Sequence, residues 1–267
     1  MKAVTFIVRF ITAQFKEHTQ KLVRRTYLIP PPSAVAGFFG AVLGLSLREL
    51  WEKSDELLAG AELRSFKGRS VNLSRVFKLD RSATRLVKLL KDYYKLAELP
   101  EKKRAEVIKQ VQELLTVKES EELYMPEYKF AVASSDEKLI ERGAEKLRNL
   151  DFEYDTFGGN DYHFVEYVGD VRPAKVIKSI RGRGYCKRID LDRVEATSFN
   201  IIWSVNSATH QPLVMPVMFR KAGIFEEFVQ VYGADIIVRK ERTAVDDRES
   251  KVFVYNVRPF LVVKMHE

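Results

Sequence analysis

An uncharged run of 22 residues, 26–47, constrains the fold most strongly, because the chain as a whole is 31% charged. A membrane-spanning helix needs about 20 apolar residues. Pro30, Pro31 and Pro32 break this run and leave only 15 residues, 33–47. The remainder predicts a buried helix that starts at the prolines and extends to about Leu50. We therefore expect a soluble protein without a membrane segment.

Small residues recur along this predicted helix. Gly37, Ala41 and Gly44 lie at i, i+4 and i+7 and so share one face. Each glycine costs a helix about 1 kcal/mol relative to alanine. We therefore expect another element to pack very close to this face.

Charge and cysteine content narrow the functional classes. The 267 residues include 45 Lys and Arg against 37 Asp and Glu, a net charge of +8, which favours a polyanionic partner. The single cysteine, Cys186, excludes an internal disulfide and a multi-cysteine metal site, and it suits a reducing, cytoplasmic compartment. The four histidines are scattered. We expect no metal and no cofactor.

The order of predicted elements indicates the fold class. After a helical insertion at about 81–118 is set aside, the pattern reads strand, helix, strand, strand, helix, strand. This is the ferredoxin-like plan, which RNA-recognition (RRM) modules also use. Short apolar runs beyond residue 169 predict a second unit. We predict an α+β protein with a ferredoxin-like domain at 1–169 and a smaller β-rich domain at 170–267.

Two basic segments are candidate phosphate-binding sites. Residues 172–188 contain seven cations and no acid, and glycines within them allow close backbone approach. The loop after the first strand lies beside the positive end of the predicted helix. A tyrosine in each segment could stack on a base. For both segments the alternative is ordinary solvated charge. The candidates are Lys178, Arg181, Arg183, Tyr185, Lys187 and Arg188 in the first segment, and Lys16, Lys21, Arg24, Arg25 and Tyr27 in the second.

Two further groups complete the candidate RNA site. Lys67 and Arg69 lie in a predicted strand or hairpin at 66–79. Gly158, Gly159 and Asn160 can present backbone N–H groups to an anion, although they also have the composition of an ordinary hairpin turn. Both groups are predicted RNA contacts.

An enzymatic alternative rests on His18. Metal-independent RNA cleavage needs a base for the 2′-hydroxyl, an acid for the leaving oxygen and a cation for the phosphorane. His18 lies among lysine, arginine and tyrosine residues, so the residue types are present. A lone loop histidine is more often a surface residue than a catalyst. A third hypothesis is an interaction protein whose apolar helix docks a partner.

The first strand, its basic loop, "YLIPPPSAVAGFFGAVLG" and "FGGNDYHFVEYVG" resemble the Cas-five family of CRISPR-associated proteins, in the RAMP superfamily. The resemblance implies a RAMP-type ferredoxin-like domain that binds the 5′ handle of CRISPR RNA. It also implies a position at one end of a type I (Cascade) complex, with archaeal type I-A as the suggested subtype. The implied neighbours are the backbone subunit and the large subunit, with target DNA contacted only indirectly.

One branch of this family cuts repeat RNA with Tyr, Lys and His. That set has no residue-by-residue match in this sequence. We therefore expect a non-catalytic RNA-binding subunit, with an endoribonuclease that uses His18 as the alternative.

Overall fold

The computed structural model describes residues 1–17, 23–77, 91, 93–159, 162–196 and 212–261. Within these ranges the chain is a mixed α+β protein in which strands predominate. The helices are α1 (Pro32–Leu43), α2 (Leu47–Lys53), α3 (Glu101–Leu114) and α4 (Glu137–Asn149). The strands are β1 (Lys2–Phe10), β2 (Thr12–Ala13), β3 (Val23–Arg24), β4 (Leu57–Ser65), β5 (Gly68–Phe77), β6 (Leu115–Tyr124), β7 (Glu127–Ser134), β8 (Val165–Lys187), β9 (Leu191–Ala196), β10 (Leu213–Lys221), β11 (Ile224–Asp246), β12 (Lys251–Phe253) and β13 (Tyr255–Asn256).

The chain forms two compact units. The smaller contains residues 21–24 and 71–121, and the larger contains 1–20, 25–70 and 122–267. In the smaller unit, α3 matches the second helix predicted for the insertion, and most of the first lies outside the described residues. The predicted domain boundary at 169/170 falls inside β8. Residues on both sides of it belong to the larger unit, because β8 pairs first with β1 and then with β11.

Four antiparallel strands organise the larger unit, in the order β8, β1, β7, β4. The chain passes through α1 between β1 and β4, and through α4 between β7 and β8. Alternate residues of these strands face the helices, and β1 and β7 are buried on both faces. Phe6 of β1, Phe38 of α1 and Phe130 of β7 meet there with ring centroids 5.5–6.0 Å apart. The main hydrophobic core lies between the helices and this face of the sheet.

The apolar run does not form one long helix. α1 ends at Leu43, because Gly44 adopts the left-handed conformation with φ 72° and caps it. Ser46 and Glu49 then form a reciprocal capping box that starts α2. No single described helix could span a membrane, although α1 and α2 together, with a 116° bend between them, have sufficient length and apolar content.

The close approach predicted at the helix glycines occurs at the C-terminal end of α1, where a Cβ added at Gly44 would lie 2.8 Å from the Cβ of Glu153. A Cβ added at Gly37 would meet no atom within 4 Å, so the packing prediction is wrong at that position. A second tight contact is at Gly143 of α4, where an added Cβ would overlap the ring of Phe39. α1 therefore supplies the bulky residue of this contact, and α4 supplies the glycine.

The opposite face of the sheet is covered by the C-terminal strands. Its centre is polar: the Lys129 ammonium lies 3.0 Å from Asp247 Oδ2 and donates to Ser250 Oγ at 3.0 Å. The Ser250 hydroxyl donates in turn to Glu62 at 2.9 Å. Gly184 adopts φ 99°, and a Cβ there would overlap a carbonyl oxygen of β4. The C-terminal strands therefore pack directly on the sheet.

Candidate nucleic-acid interface

The two tyrosines predicted to stack on bases are buried. Tyr27 is 1% exposed, and its hydroxyl donates to the Met218 carbonyl at 2.6 Å. Tyr185 is fully buried and stacks on Tyr255, and burial raises its pKa well above the usual value. Both rings belong to the core, so neither offers a face to a base. A stacking surface has to come from other residues.

The "YLIPPP" segment is fixed by hydrogen bonds from residues that are distant in the sequence. Gln230, which is fully buried, accepts from the backbone N–H groups of Leu28 and Ile29 at 3.0 and 3.2 Å. Its amide also donates to the Ile29 carbonyl at 2.6 Å, while the Tyr128 hydroxyl donates to the Leu28 carbonyl at 3.1 Å. The segment therefore has a structural role in fixing the entry to α1.

The arginines of the basic segment form ion pairs within the protein. Arg181 Nε and Arg183 Nε lie 2.6 and 2.7 Å from the two carboxylate oxygens of Asp235. Arg183 also contacts Glu62 at 2.8 Å. These acids come from β11 and β4, so the acid-free sequence becomes a largely neutralised surface. A phosphate would have to displace these carboxylates.

The remaining predicted cations, in β8 and in the turn after it, differ from one another in their partners and exposure. Lys187 pairs with Glu226 at 2.6 Å, and this hydrogen bond helps to raise its pKa despite partial desolvation. Lys178 is exposed and donates to the Thr243 hydroxyl at 3.0 Å. Arg188 is exposed just after β8. Within the segment's predicted site, Lys178 and Arg188 are therefore exposed cations that do not share the ion pairs of Arg181, Arg183 and Lys187.

Exposed aromatic residues lie on neighbouring chain segments at the end of the sheet where β1 stops. The backbone N–H of Ile11 donates to the Phe164 carbonyl at 3.1 Å, and Thr12 pairs with Tyr124. The strand segments that carry these residues are thus neighbours. We name this the aromatic end surface, and its side chains are each about half exposed: Ile11 (50%), Tyr124 (48%), Tyr162 (54%) and Phe164 (58%).

One predicted cation, Lys67, lies beside this surface. The backbone N–H of Lys67 donates to the Tyr124 carbonyl at 2.9 Å, which places the exposed Lys67 beside Tyr124. Exposed Lys16 forms a bridge with Thr26, next to exposed Arg25. Arg24 belongs to the smaller unit, and Lys21 and His18 lie outside the described residues. Arg69 is exposed and contacts the Met215 sulfur at 3.5 Å.

The predicted glycine turn supports the same end of the sheet. The Gly158 carbonyl accepts from Gln14 N–H at 2.8 Å, and the Gly158 N–H donates to the His163 carbonyl at 2.8 Å. Gly159 has φ 105°, and an added Cβ would overlap the Gln14 carbonyl. Since the Gly158 N–H is already used, packing explains this pair better than anion binding. Asn160 lies outside the described residues.

His163 lies beneath the aromatic end surface. It is fully buried, and its Nδ1 is 2.7 Å from the Thr12 hydroxyl. Desolvation lowers its pKa against the opposing effect of Glu122, so the ring is neutral at pH 7. Its ring centroid lies 4.2 Å from that of Tyr162. His163 therefore braces an exposed aromatic residue.

Sequence reasoning missed Tyr124, Tyr162 and Phe164. A usable signal existed for two of them, because Tyr162 and Phe164 alternate with His163 after the glycine turn. Strand alternation places such residues on the face opposite the histidine. Tyr124 carried no comparable signal.

The comparison with protein families decides the identity. The family model described as CRISPR-associated protein (Cas_Cas5) matches residues 4–266. The chain belongs to this Cas5 family. This match confirms the resemblance found in the sequence. No curated protein matches this chain.

Several solved structures are similar to this Cas5-family chain. One, titled "CRISPR RNA-guided surveillance complex", has a TM-score of 0.43 at 14% identity, covering 88% of this chain and 91% of that one. A CRISPR protein from Archaeoglobus fulgidus has a TM-score of 0.46 at 12% identity, covering 96% and 100%. A chain of a Type III-B Cmr-beta complex bound to target RNA has a TM-score of 0.36 at 13% identity, covering 88% of this chain and 86% of that one. Membership rests on the family model.

Proposed function

We propose that this chain is a non-catalytic RNA-binding subunit of a CRISPR effector complex that holds the 5′ handle of CRISPR RNA. The observation that carries the proposal is the aromatic end surface with Lys67 at its margin. Single-stranded RNA is bound by aromatic rings that stack on bases beside cations that contact phosphates. The surface presents both.

The sheet arrangement supports a ferredoxin-like assignment for the core of the larger unit. The order β8, β1, β7, β4, with α1 and α4 as the connections, is that of a strand-helix-strand-strand-helix-strand fold. RNA-recognition modules of this plan stack bases on the open sheet face. Here Lys129, Asp247 and Ser250 close that face. RNA is therefore expected at the end of the sheet.

The proposed absence of catalysis has one supporting observation. His163 is the only histidine within the described ranges, and its burial keeps it from a 2′-hydroxyl. Incubation of repeat RNA with the purified protein in EDTA tests this point directly. Site-specific cleavage that is lost in His18→Ala would establish the endoribonuclease instead.

Family membership supports the proposed partners. We expect the chain to lie at one end of a Cascade complex, in contact with the backbone subunit and the large subunit, and to meet target DNA only through them. Co-purification with its genomic neighbours, followed by sequencing of the bound RNA, tests this assembly.

Substitution of the exposed rings tests the binding surface. Tyr124→Ala and Phe164→Ala should each weaken binding of handle RNA about 5- to 160-fold, because a base stack contributes about 1–3 kcal/mol. Fluorescence anisotropy with labelled handle RNA measures this. Tyr154→Ala is the matched control, since Tyr154 is 55% exposed but its backbone bonds to Ala41 in α1. Equal effects in all three variants would refute the proposed surface.

Charge substitutions provide a second test. Lys67→Gln should weaken RNA binding and reduce the slope of log affinity against log salt by about 0.7, because one phosphate contact is lost. Lys251→Gln is the control, since Lys251 is an exposed cation of β12, outside the surface. An unchanged salt slope in Lys67→Gln would remove that residue from the site.

A further inference from the structure

A cavity of about 370 Å³ lies between β4 and β11 in the larger unit. This volume falls in the range of about 300–1,000 Å³ typical of ligand pockets. Its polar walls come from four side chains, two arginines and two glutamates, and its floor includes the backbone at Gly233. The lining residues are Glu62, Leu63, Arg64, Arg183, Val231, Gly233, Ala234 and Glu249.

The charges of the lining side chains cancel. Arg183 pairs with Glu62 at 2.8 Å, and Arg64 pairs with Glu249 at 3.2 Å. A phosphate in this cavity would meet two carboxylates, and a cation would meet two guanidinium groups. The favoured ligand is therefore neutral and carries hydrogen-bond donors and acceptors together.

Residues 66 and 67 lie between the cavity wall and the aromatic end surface along the chain. The Phe66 ring lies 5.5 Å from the ring of Tyr232, which precedes Gly233 in the cavity wall. Lys67 follows Phe66 and bonds to Tyr124 of the surface. An RNA strand held at Lys67 could therefore turn one base into the cavity.

The two arginines differ in how firmly they are held. Arg183 is fixed by Asp235 at 2.7 Å in addition to Glu62, and Glu62 also accepts from Ser250. Arg64 is 33% exposed, and its ion-pair partners are on the surface. Arg64 is therefore the cavity cation best able to change partner and meet a ligand.

We propose that this cavity binds a single unstacked guanine base, an inference that rests on the proposed RNA-binding function. Guanine offers O6 and N7 as acceptors, which suit a guanidinium donor, and it carries N–H donors that suit a carboxylate. Adenine combines one amino donor with N7 and lacks the second acceptor, O6, on that edge. Gly233 has φ 80° and no side chain, so a flat base can lie against the backbone.

Titration of the intact chain with nucleosides tests the proposal. By NMR chemical-shift titration, guanosine should bind at least tenfold more tightly than adenosine, and inosine, which lacks the 2-amino group, should bind more weakly than guanosine. Arg64→Gln should weaken guanosine binding about tenfold or more. Equal binding of guanosine and adenosine, or no saturable binding of either, would overturn the assignment.

Arg9→Gln is the matched control. Arg9 pairs with Glu127, as Arg64 does, and the exposed side-chain fractions are 38% and 33%. Arg9 does not line the cavity. Its replacement should therefore leave guanosine binding unchanged, and an equal loss in both variants would refute a specific contact from Arg64.

The two proposals fail in different ways. If the chain binds no handle RNA but discriminates guanosine from adenosine, the RNA function fails and the cavity assignment stands. If handle RNA binds through Tyr124 and Phe164, but replacing each of its guanosines in turn by inosine never changes the affinity, the cavity assignment fails alone.

Discussion

Replacing Gln230 by leucine should destabilise the protein severely. Gln230 is fully buried and forms three hydrogen bonds to backbone groups of Leu28 and Ile29. Leucine would leave two N–H donors and one carbonyl unpaired in the core. Each such group costs about 1–3 kcal/mol. Allowing for partial rearrangement, we expect a loss of about 3–6 kcal/mol in the free energy of unfolding.

Thermal unfolding followed by circular dichroism measures this loss. For a chain of this size, 1 kcal/mol corresponds to about 2–4 °C in Tm, so Gln230→Leu should lower Tm by roughly 6–24 °C. Gln230→Glu keeps the acceptor for both N–H groups but loses the donor to the Ile29 carbonyl and buries a carboxylate. This variant should become more stable relative to Gln230→Leu as the pH falls. A loss below 1 kcal/mol in Gln230→Leu would refute the reasoning.

Three further stability predictions follow from the packing and from the buried ion pair of Lys129 and Asp247. Gly184→Ala should cost more than about 3 kcal/mol, because φ is 99° and the new Cβ overlaps a β4 carbonyl. Gly37→Ala should instead stabilise by about 1 kcal/mol, because the site is open and helical. Desolvation opposes ionisation of Asp247, but hydrogen bonds from Ser250 and Lys129 outweigh it and lower its pKa. Stability from this depressed pKa is present above about pH 4 and is lost as the pH falls through the folded-state pKa. Lys129→Met should weaken that acid dependence and cost about 3–5 kcal/mol at pH 7, since it leaves a buried charge unpaired. Equilibrium denaturation from pH 2 to 7 measures both quantities, and parallel pH profiles for the wild type and Lys129→Met would contradict the pairing.

Sequence patterns predicted helices and strands well where neighbouring residues determine the structure. The prolines marked the start of α1, and short runs of apolar residues marked β1 and β7. The end of α1 was missed, although Gly44 and the Ser46 to Glu49 capping box are themselves local signals. Apolar residues continue through this boundary, so the long apolar run masked the helix stop.

The candidate site was harder to predict because pairing is nonlocal. Arg183 reads as a free cation in the sequence, but its partners Asp235 and Glu62 are 52 and 121 positions away. Tyr27 and Tyr185 read as stacking residues, but an aromatic ring suits a core equally well. The exposed rings that replace them come from segments that meet only in the folded chain.

The sequence alone determined the α+β composition, the basic character, the start of α1 and the Cas5 resemblance, because these depend on residue type and short spacing. Only the tertiary structure decided which cations are neutralised, which aromatic residues are exposed and which sheet face is closed. The physical reason is that burial and ion pairing depend on the residues brought alongside by folding. In this chain those residues lie mostly in the C-terminal strands that cover the sheet.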